Sequence, residues 1–128
     1  MQSEVAKIFE SLSDEQSVQL FTIIAKEGIN SIELRTKAPL SRKQYYSRLS
    51  KMIRVGLVKR RSGKLVLTAF GKIVFKSQKI VEAASSSQWK LKVLDSIDVA
   101  EDIPKEERRK LLDNLIENKQ IKEILADE

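Results

Sequence analysis

The stretch that decides the fold is residues 40–68, which read LSRKQYYSRLSKMIRVGLVKRRSGKLVLT. Its first part predicts a helix, because Ser41 followed three residues later by Gln44 forms a capping-box pattern. The run from Arg42 to Val55 then contains neither glycine nor proline. Four large residues recur at helical spacing and predict the buried face of this helix: Tyr45, Leu49, Met52 and Ile53.

A β-hairpin is predicted directly after Gly56, which ends the helix. Two short apolar segments, Leu57–Arg60 and Leu65–Thr68, flank a turn at Arg61–Lys64 in which Gly63 allows the chain to reverse. Because so many charges cannot be buried in an apolar core, the tip is expected to project from the protein. Four cations fall within six positions around it: Lys59, Arg60, Arg61 and Lys64.

Two helices are predicted at the start of the chain. The first is a short opening helix over residues 5–12, whose apolar residues share one helical face. The second opens at Ser13, which forms a capping-box pattern with Gln16, and ends at Gly28 in a left-handed cap.

A very short strand and a third, short helix are predicted before residues 40–68. Ile29 and Asn30 are expected to be extended, and Asn30 with Glu33 repeats the capping pattern. The helix runs to about Lys37 and is closed by Pro39, because a proline disfavours the helical conformation of the residue before it.

The region after the hairpin is predicted to be helical. Thr68 can cap the next helix. The serines at 85–87 either interrupt this helix or only distort it locally, and the helical pattern continues to about Ser96. Pro104 suits the first turn of a last helix, in which the apolar face rotates, so that a break or bend is expected near Asn118.

These elements predict a fold class that is mainly α with a small β-hairpin wing. The order helix, short helix, longer helix and hairpin is that of a winged helix-turn-helix. In that arrangement the longer helix fits the major groove of DNA, and the short helix packed across it fixes its angle. We predict a DNA-binding domain over residues 1–85, followed by a helical extension over residues 86–128.

Cysteine and histidine are both absent, which removes several kinds of chemistry. Disulfides, thiolate chemistry, cysteine or histidine metal ligands and a histidine general base are all excluded. Since no nucleophile–base pair and no phosphate-binding loop is recognisable, the sequence predicts neither an enzyme nor a bound cofactor or metal. No apolar run reaches the ~18 residues of a membrane span and the start lacks a secretion signal, so we expect a cytoplasmic protein without a membrane partner.

The positive charge of the chain is concentrated in its middle. The formal net charge is +6 overall, but residues 31–90 hold fifteen Lys and Arg against only Glu33 and Glu82, a net charge of +13. The segments before and after carry −3 and −4. A solvated lysine-rich surface would usually interleave acidic residues, so this distribution favours a polyanionic partner.

The exposed face of the predicted helix over residues 42–55 carries side chains that suit DNA. Arginine pairs with guanine and glutamine with adenine, whereas lysine and serine reach phosphates or base edges. The N–H groups at the helix start can also face a phosphate. The predicted recognition positions are Ser41, Arg42, Lys43, Gln44, Tyr46, Ser47, Lys51 and Arg54, and the predicted wing contacts are Lys59, Arg60, Arg61 and Lys64.

Parts of this stretch resemble known winged-helix repressors. Residues 40–58 begin with Leu40-Ser41 and end with Gly-Leu-Val directly after the predicted helix, and they are similar to the recognition helix of ArsR-like and MarR-like repressors and the segment that follows it. Residues 67–71 are similar to the "leucine-threonine, two residues, glycine" link after the wing in archaeal predicted transcriptional regulators, and residues 8–21 to their first helices. The resemblance covers about residues 5–85 and implies groove-facing positions at Arg42, Lys43, Tyr46 and Ser47 and a wing at Arg60–Lys64.

The C-terminal third carries an apolar stripe formed by Trp89, Val93 and Ile97. A helix this apolar on one side must bury that side against its own domain or a partner. Packing within the chain and a homodimer interface both remain open at this point, and we predict the homodimer.

The leading functional prediction is a sequence-specific, double-stranded DNA-binding transcriptional regulator, with operator, effector and direction of regulation left open. The alternative is a winged-helix protein-interaction module of the basal transcription machinery, with weak and non-specific DNA affinity. RNA binding is less favoured, because the basic run lacks the adjacent exposed aromatic residues that stack single-stranded bases.

Overall fold

The computed structural model describes residues 3–38, 40–100 and 102–126. The chain divides into two compact units, Met1–Lys76 and Ser77–Glu128, which are described separately below. The fold is 74% helical with one small antiparallel sheet, which confirms the predicted class, mainly α with a β-hairpin wing.

The first unit has the predicted order of elements. Its described residues form the helices α1 (Glu4–Ser11), α2 (Glu15–Glu27), α3 (Ser31–Lys37) and α4 (Arg42–Arg54), and the first part of α5 (Ala69–Ser86). They also form the strands β1 (Ile29–Asn30), β2 (Val58–Arg61) and β3 (Lys64–Leu67).

The core of the first unit includes the apolar face predicted for α4 and the predicted core residues Phe21 and Ile24 of α2, whereas Val5 and Phe9 on the predicted apolar face of α1 are exposed. Helix α2 packs against β3, α4 packs against β2, and α1 packs against α4. The side chains that are almost fully buried in this core are Leu20, Phe21, Ile24, Ile29, Leu34, Tyr45, Leu49, Met52, Leu57, Val58 and Leu65.

The strands form a sheet in the order β1-β3-β2, with both pairs antiparallel. The predicted Ser-Gly turn is confirmed, because Arg61 and Lys64 pair with each other and leave Ser62 and Gly63 in the loop. Both loop residues have positive φ, 50° and 79°. This is the pattern of a type I′ turn, whose twist matches that of the flanking strands and which needs only two residues.

The caps of the two helix-turn-helix helices agree with the sequence patterns. At α4 the Gln44 amide N–H donates to Ser41 Oγ at 3.2 Å, and the Ser41 N–H donates to Gln44 Oε1 at 3.1 Å. At α3 the Glu33 N–H donates to Asn30 Oδ1 at 2.8 Å. Both helices therefore begin where the sequence predicted.

The predicted cap of α2 at Ser13 was wrong by one residue. Asp14 is the cap, and its Oδ1 accepts from the Ser17 N–H at 2.7 Å. The Ser13 hydroxyl instead donates to the Glu10 carbonyl at 2.7 Å and closes the end of α1. A carboxylate is also the better partner for the positive end of a helix, which explains the preference for Asp14.

Helix α5 begins in close contact with the backbone that leads into the hairpin. The Thr68 N–H donates to the Leu57 carbonyl at 3.0 Å, and the Thr68 hydroxyl accepts from the Gly71 N–H at 2.8 Å. Gly71 is buried, and a Cβ at this position would lie 2.0 Å from the Leu57 carbonyl oxygen. The link between wing and helix therefore requires a glycine here.

The second unit consists of short helices. The remainder of α5 is followed by α6 (Gln88–Val99), α7 (Lys105–Leu115) and α8 (Lys119–Ala126). The serine run does interrupt the helix, since α5 ends at Ser86 and α6 starts at Gln88. The predicted break near Asn118 is confirmed, because Asn118 Oδ1 accepts from the Ile121 N–H at the start of α8.

The apolar cluster of the second unit is small. Leu112, Ile116 and Ile121 are buried, and half-buried residues surround them: Ile80, Ala83, Ala84, Leu91, Leu94 and Leu115. The boundary between the two compact units lies in the middle of α5.

Candidate nucleic-acid interface

Helix α4 and its N-cap residue expose every residue that the sequence assigned to the recognition helix. Tyr45, Leu49 and Met52 are buried, which fixes the rotation of the helix about its axis. The opposite face and its margins are open to solvent. The exposed residues there are Ser41, Arg42, Lys43, Gln44, Tyr46, Ser47, Lys51 and Arg54.

The angle between α3 and α4 is held by a buried tyrosine. Tyr45 is 1% exposed, and its hydroxyl lies 3.0 Å from Ser31 Oγ and donates to the Ser31 carbonyl at 3.3 Å. Since Ser31 begins α3, this contact ties the start of the short helix to the first turns of α4. It gives the helix-turn-helix a fixed geometry.

Arg48 is a basic residue of α4 that serves the fold instead of the exposed face. Its Nε and Nη2 donate to the two carboxylate oxygens of Asp14, both at 3.3 Å, and its Nη1 donates to the Gln44 carbonyl at 3.3 Å. The pKa of Asp14 is lowered, chiefly by the hydrogen bond from the Ser17 backbone N–H and further by Arg48. The cap of α2 is thereby tied to α4.

The sheet divides the four wing cations between its two faces. Side chains alternate along a strand, so Arg60 shares the face of Val58 and Leu65, which are buried. The other three cations point to the opposite face: Lys59, Arg61 and Lys64. All four are exposed, but they do not form one cluster.

Three cations outside the predicted set lie beside these elements. Lys72 of α5 joins Lys59 and Arg61 around a groove over Val66. Lys7 of α1 lines a cleft with Glu10 and with Lys51 and Arg54, at the far end of α4. Arg35 of α3 lies over the Tyr46 ring, with Cζ 5.9 Å from the ring centroid. Each juxtaposition depends on packing between distant segments, so the sequence pattern could not reveal it.

The stripe predicted to form a dimer interface lies in the second unit. Trp89 is 62% exposed and Val93 is 39% exposed, while Ile97 is half-buried. Leu91 and Leu94 are the α6 residues that contact the apolar cluster. The outer side of α6 thus has no apolar cover among the residues that the structure describes.

Other kinds of site are not found in the described part of the chain. Within residues 3–38, 40–100 and 102–126, no group of three or more potential ligands among His, Cys, Asp and Glu could hold a metal ion. None of the helices in these ranges combines the length and apolar character that crossing a bilayer requires.

Comparison with known proteins supports the fold. No protein-family model and no curated protein matches the chain. The activation domain of the phage T4 transcription factor MotA superposes with a TM-score of 0.53 at 22% identity, covering 70% of this chain and 99% of that domain. An ArsR-like transcriptional regulator from Rhodococcus sp. RHA1 superposes with a TM-score of 0.51 at 23% identity, covering 78% of this chain and 95% of the regulator.

The fold is that of a winged helix. At this level of identity the two similar structures establish the architecture alone, and the function must be argued from the surface of the chain.

Proposed function

We propose that this winged helix is a transcriptional regulator that binds double-stranded DNA sequence-specifically. In this proposal α4 enters the major groove and the wing contacts the backbone or the minor groove. The observation that carries the proposal is a set of eight exposed cations on α4 and the wing that form no ion pair within the described ranges. They are Arg42, Lys43, Lys51, Arg54, Lys59, Arg60, Arg61 and Lys64.

The physical support is that these cations have no neutralising partner among the described residues. Residues 40–64 contain nine basic and no acidic side chains, and in the described part of the chain only Arg48 of this segment is engaged in an ion pair, with Asp14. Holding this many like charges on neighbouring elements destabilises the free protein, and phosphates relieve that repulsion while releasing counterions. The buried face of α4 is fixed by Tyr45, so the same polar side chains are always offered to the groove.

Variants of α4 and of the wing should differ in what they change. Arg42→Ala or Ser47→Ala should lower affinity for the preferred duplex by about 5- to 150-fold (~1–3 kcal/mol) and relax base preference at one position. Arg61→Ala or Lys64→Ala should weaken binding to all duplexes to a similar extent, because phosphate contacts carry no base information. Binding profiles over a panel of single-base-pair variants of the site measure both effects.

The matched control removes a cation from the second unit. Arg109→Ala deletes one exposed positive charge of α7 and should leave affinity and base preference nearly unchanged. Wing variants that alone alter base preference would reverse the assignment of roles. If all variants bind every duplex of the panel weakly and with the same affinity, the result would favour the interaction-module function, in which another protein is the main partner.

We further propose that the regulator is a homodimer held by α6. The exposed stripe of Trp89 and Val93, flanked by half-buried Ile97, is an apolar surface on a unit that is separate from the basic face. Helix-turn-helix proteins commonly pair on half-sites about 34–36 Å apart, which raises their affinity for DNA. The net negative charge of residues 91–128 also disfavours contact between this part of the chain and phosphate.

Replacing Trp89 should break this dimer. Trp89→Ala is expected to raise the dissociation constant of the dimer by about 30-fold or more, since a central interface tryptophan contributes at least about 2 kcal/mol. Sedimentation of the full chain at micromolar concentration measures the change. Trp89 is the only tryptophan, so its emission should also shift to shorter wavelength as concentration rises and the dimer forms.

The control for the dimer is Ile124→Ala, which removes an exposed apolar side chain from α8 in the same unit. It should sediment as the unaltered protein does. A clean monomer of the intact chain at micromolar concentration, both alone and with its target duplex, would overturn the dimer while leaving the DNA proposal in place.

A further inference from the structure

The ring of Tyr46 is exposed on α4 but held in place from two sides. The Tyr45 ring lies 5.0 Å away between centroids, at an interplanar angle of 80°, and the Arg35 guanidinium lies over the ring at 5.9 Å. Tyr45 is itself anchored to Ser31 through its hydroxyl. Because both contacts favour this rotamer in the free protein, less side-chain entropy would be lost on binding than for an unsupported tyrosine.

The exposed part of Tyr46 contributes nothing to the core or to the hydrogen bonding of the fold. Its side chain is 39% exposed, and its hydroxyl makes no hydrogen bond to the residues that the structure describes. Tyr46 follows Arg42 by four residues and lies in the N-terminal half of α4, the part of a recognition helix that reaches base edges. An ordered aromatic surface is therefore offered to the groove.

The major groove contains one apolar group that such a surface can recognise. Every base presents a hydrogen-bond donor or acceptor there, and thymine adds a C5-methyl group beside its O4 acceptor. A polarised aromatic surface beside a cation offers the methyl group van der Waals contact without requiring a hydrogen bond. The direct alternative is a hydrogen bond from the Tyr46 hydroxyl to a phosphate, which would not depend on the base.

We propose that Tyr46 reads the methyl group of a thymine in the major groove, and that Arg35 is the positioning residue that holds the ring for this contact. This inference rests on the proposed function, because it names a base read by the same helix. Arg35 acts through the ring: its guanidinium spans from α3 to α4 and makes no ion pair within the described ranges.

The test removes one methyl group from the DNA. A duplex is first selected from a random pool by the full-length protein, and each thymine of the selected site is then replaced in turn by deoxyuridine, which lacks only the C5-methyl group. At one thymine per half-site, the replacement should weaken binding by about 3- to 10-fold, the value of burying one methyl group in a packed contact.

The variants assign that effect to the ring. Tyr46→Ala should bind the thymine and deoxyuridine duplexes equally, whereas Tyr46→Phe should keep the full discrimination between them. Arg35→Ala should reduce the discrimination ratio towards one. Lys43→Ala is a matched change of an exposed residue on the same helix. It should lower the affinity for both duplexes by the same factor and leave the discrimination ratio unchanged. Thermal unfolding of each variant distinguishes a folding defect from a recognition defect.

Each other outcome overturns a stated part. A ratio of one at every thymine for the unaltered protein, or an unchanged ratio in Tyr46→Ala, would refute methyl reading. Weaker binding by Tyr46→Phe, together with a ratio of one at every thymine for the unaltered protein, would identify a phosphate contact of the hydroxyl instead. An unchanged ratio in Arg35→Ala would remove the positioning role alone. If no duplex is enriched at all, the proposed function fails together with this inference, and that result is distinct from the others.

Discussion

Raising the salt concentration from about 50 to 200 mM should lower the duplex affinity of this protein by about 10³- to 10⁵-fold. The expectation follows from the eight cations on α4 and the wing, which form no ion pair with the residues that the structure describes. If a dimer uses them to neutralise about six to ten phosphates, the condensed counterions released on binding produce a loss of this size. Fluorescence anisotropy of a labelled duplex at several salt concentrations measures the slope.

Single charge deletions should change that slope in a graded way. Lys64→Ala removes one cation–phosphate pair per protomer, and each pair removed should make the slope of log affinity against log salt shallower by about one unit. The Arg109→Ala control should leave the slope unchanged. A loss of less than about tenfold over this range for the unaltered protein would remove the electrostatic basis of the proposal.

Gly71→Ala should destabilise the first unit by about 3 kcal/mol, at the upper end of overpacking effects, and lower its melting temperature by more than about 10 °C. A Cβ at Gly71 would lie 2.0 Å from the Leu57 carbonyl oxygen, and backbone atoms cannot move aside as a flexible side chain can. The start of α5 would be forced away from the base of the hairpin, where Thr68 now bonds to Leu57. Thermal and urea unfolding measure the change.

Gly63→Ala is the matched control for this substitution. Both changes reduce the conformational entropy of the unfolded chain equally, so their difference reports the folded state. Nothing lies within 4 Å of a Cβ at Gly63, but its φ of 79° carries a cost of about 1 kcal/mol for alanine. If Gly71→Ala were no more destabilising than Gly63→Ala, the close approach of α5 to Leu57 would be contradicted.

Local chemistry explains what the sequence could predict of this fold. The beginning of α4 follows from Ser41 and Gln44, because a capping box needs only four consecutive residues. The hairpin follows from Ser62-Gly63 between apolar segments, since only two residues with positive φ are required. The cap of α2 was misplaced because Ser13 and Asp14 are adjacent candidates, and the choice depends on the hydrogen bond from Ser13 to the end of α1.

The candidate site was predictable at the level of helix faces and not at the level of individual contacts. Burial of Tyr45 and Leu49 could be read from a period of 3.6 residues, and exposure of their neighbours followed. The separation of Arg60 from the other wing cations was also readable, from the period of two along β2. The pairing of Arg48 with Asp14 joins positions thirty-four residues apart, and no local pattern encodes it.

The contact between Arg35 and Tyr46, like the pairing of Arg48 with Asp14, is not encoded by a local sequence pattern. It depends on the angle between α3 and α4, which Tyr45 and Ser31 set through a hydrogen bond across fourteen residues. The sequence analysis predicted Tyr46 as a recognition position and assigned no role to Arg35, since no local pattern brings the two side chains together.

The measurement that tests the central claim most directly is selection of bound sequences from a random pool of DNA duplexes by the full-length protein. We predict enrichment of one motif with two-fold symmetry, whose half-sites are centred about 10–10.5 base pairs or a multiple of that distance apart. The Arg42→Ala variant should enrich a motif relaxed at one position of each half-site. A pool that remains unenriched after repeated rounds, with duplex binding that no sequence improves, would contradict the account.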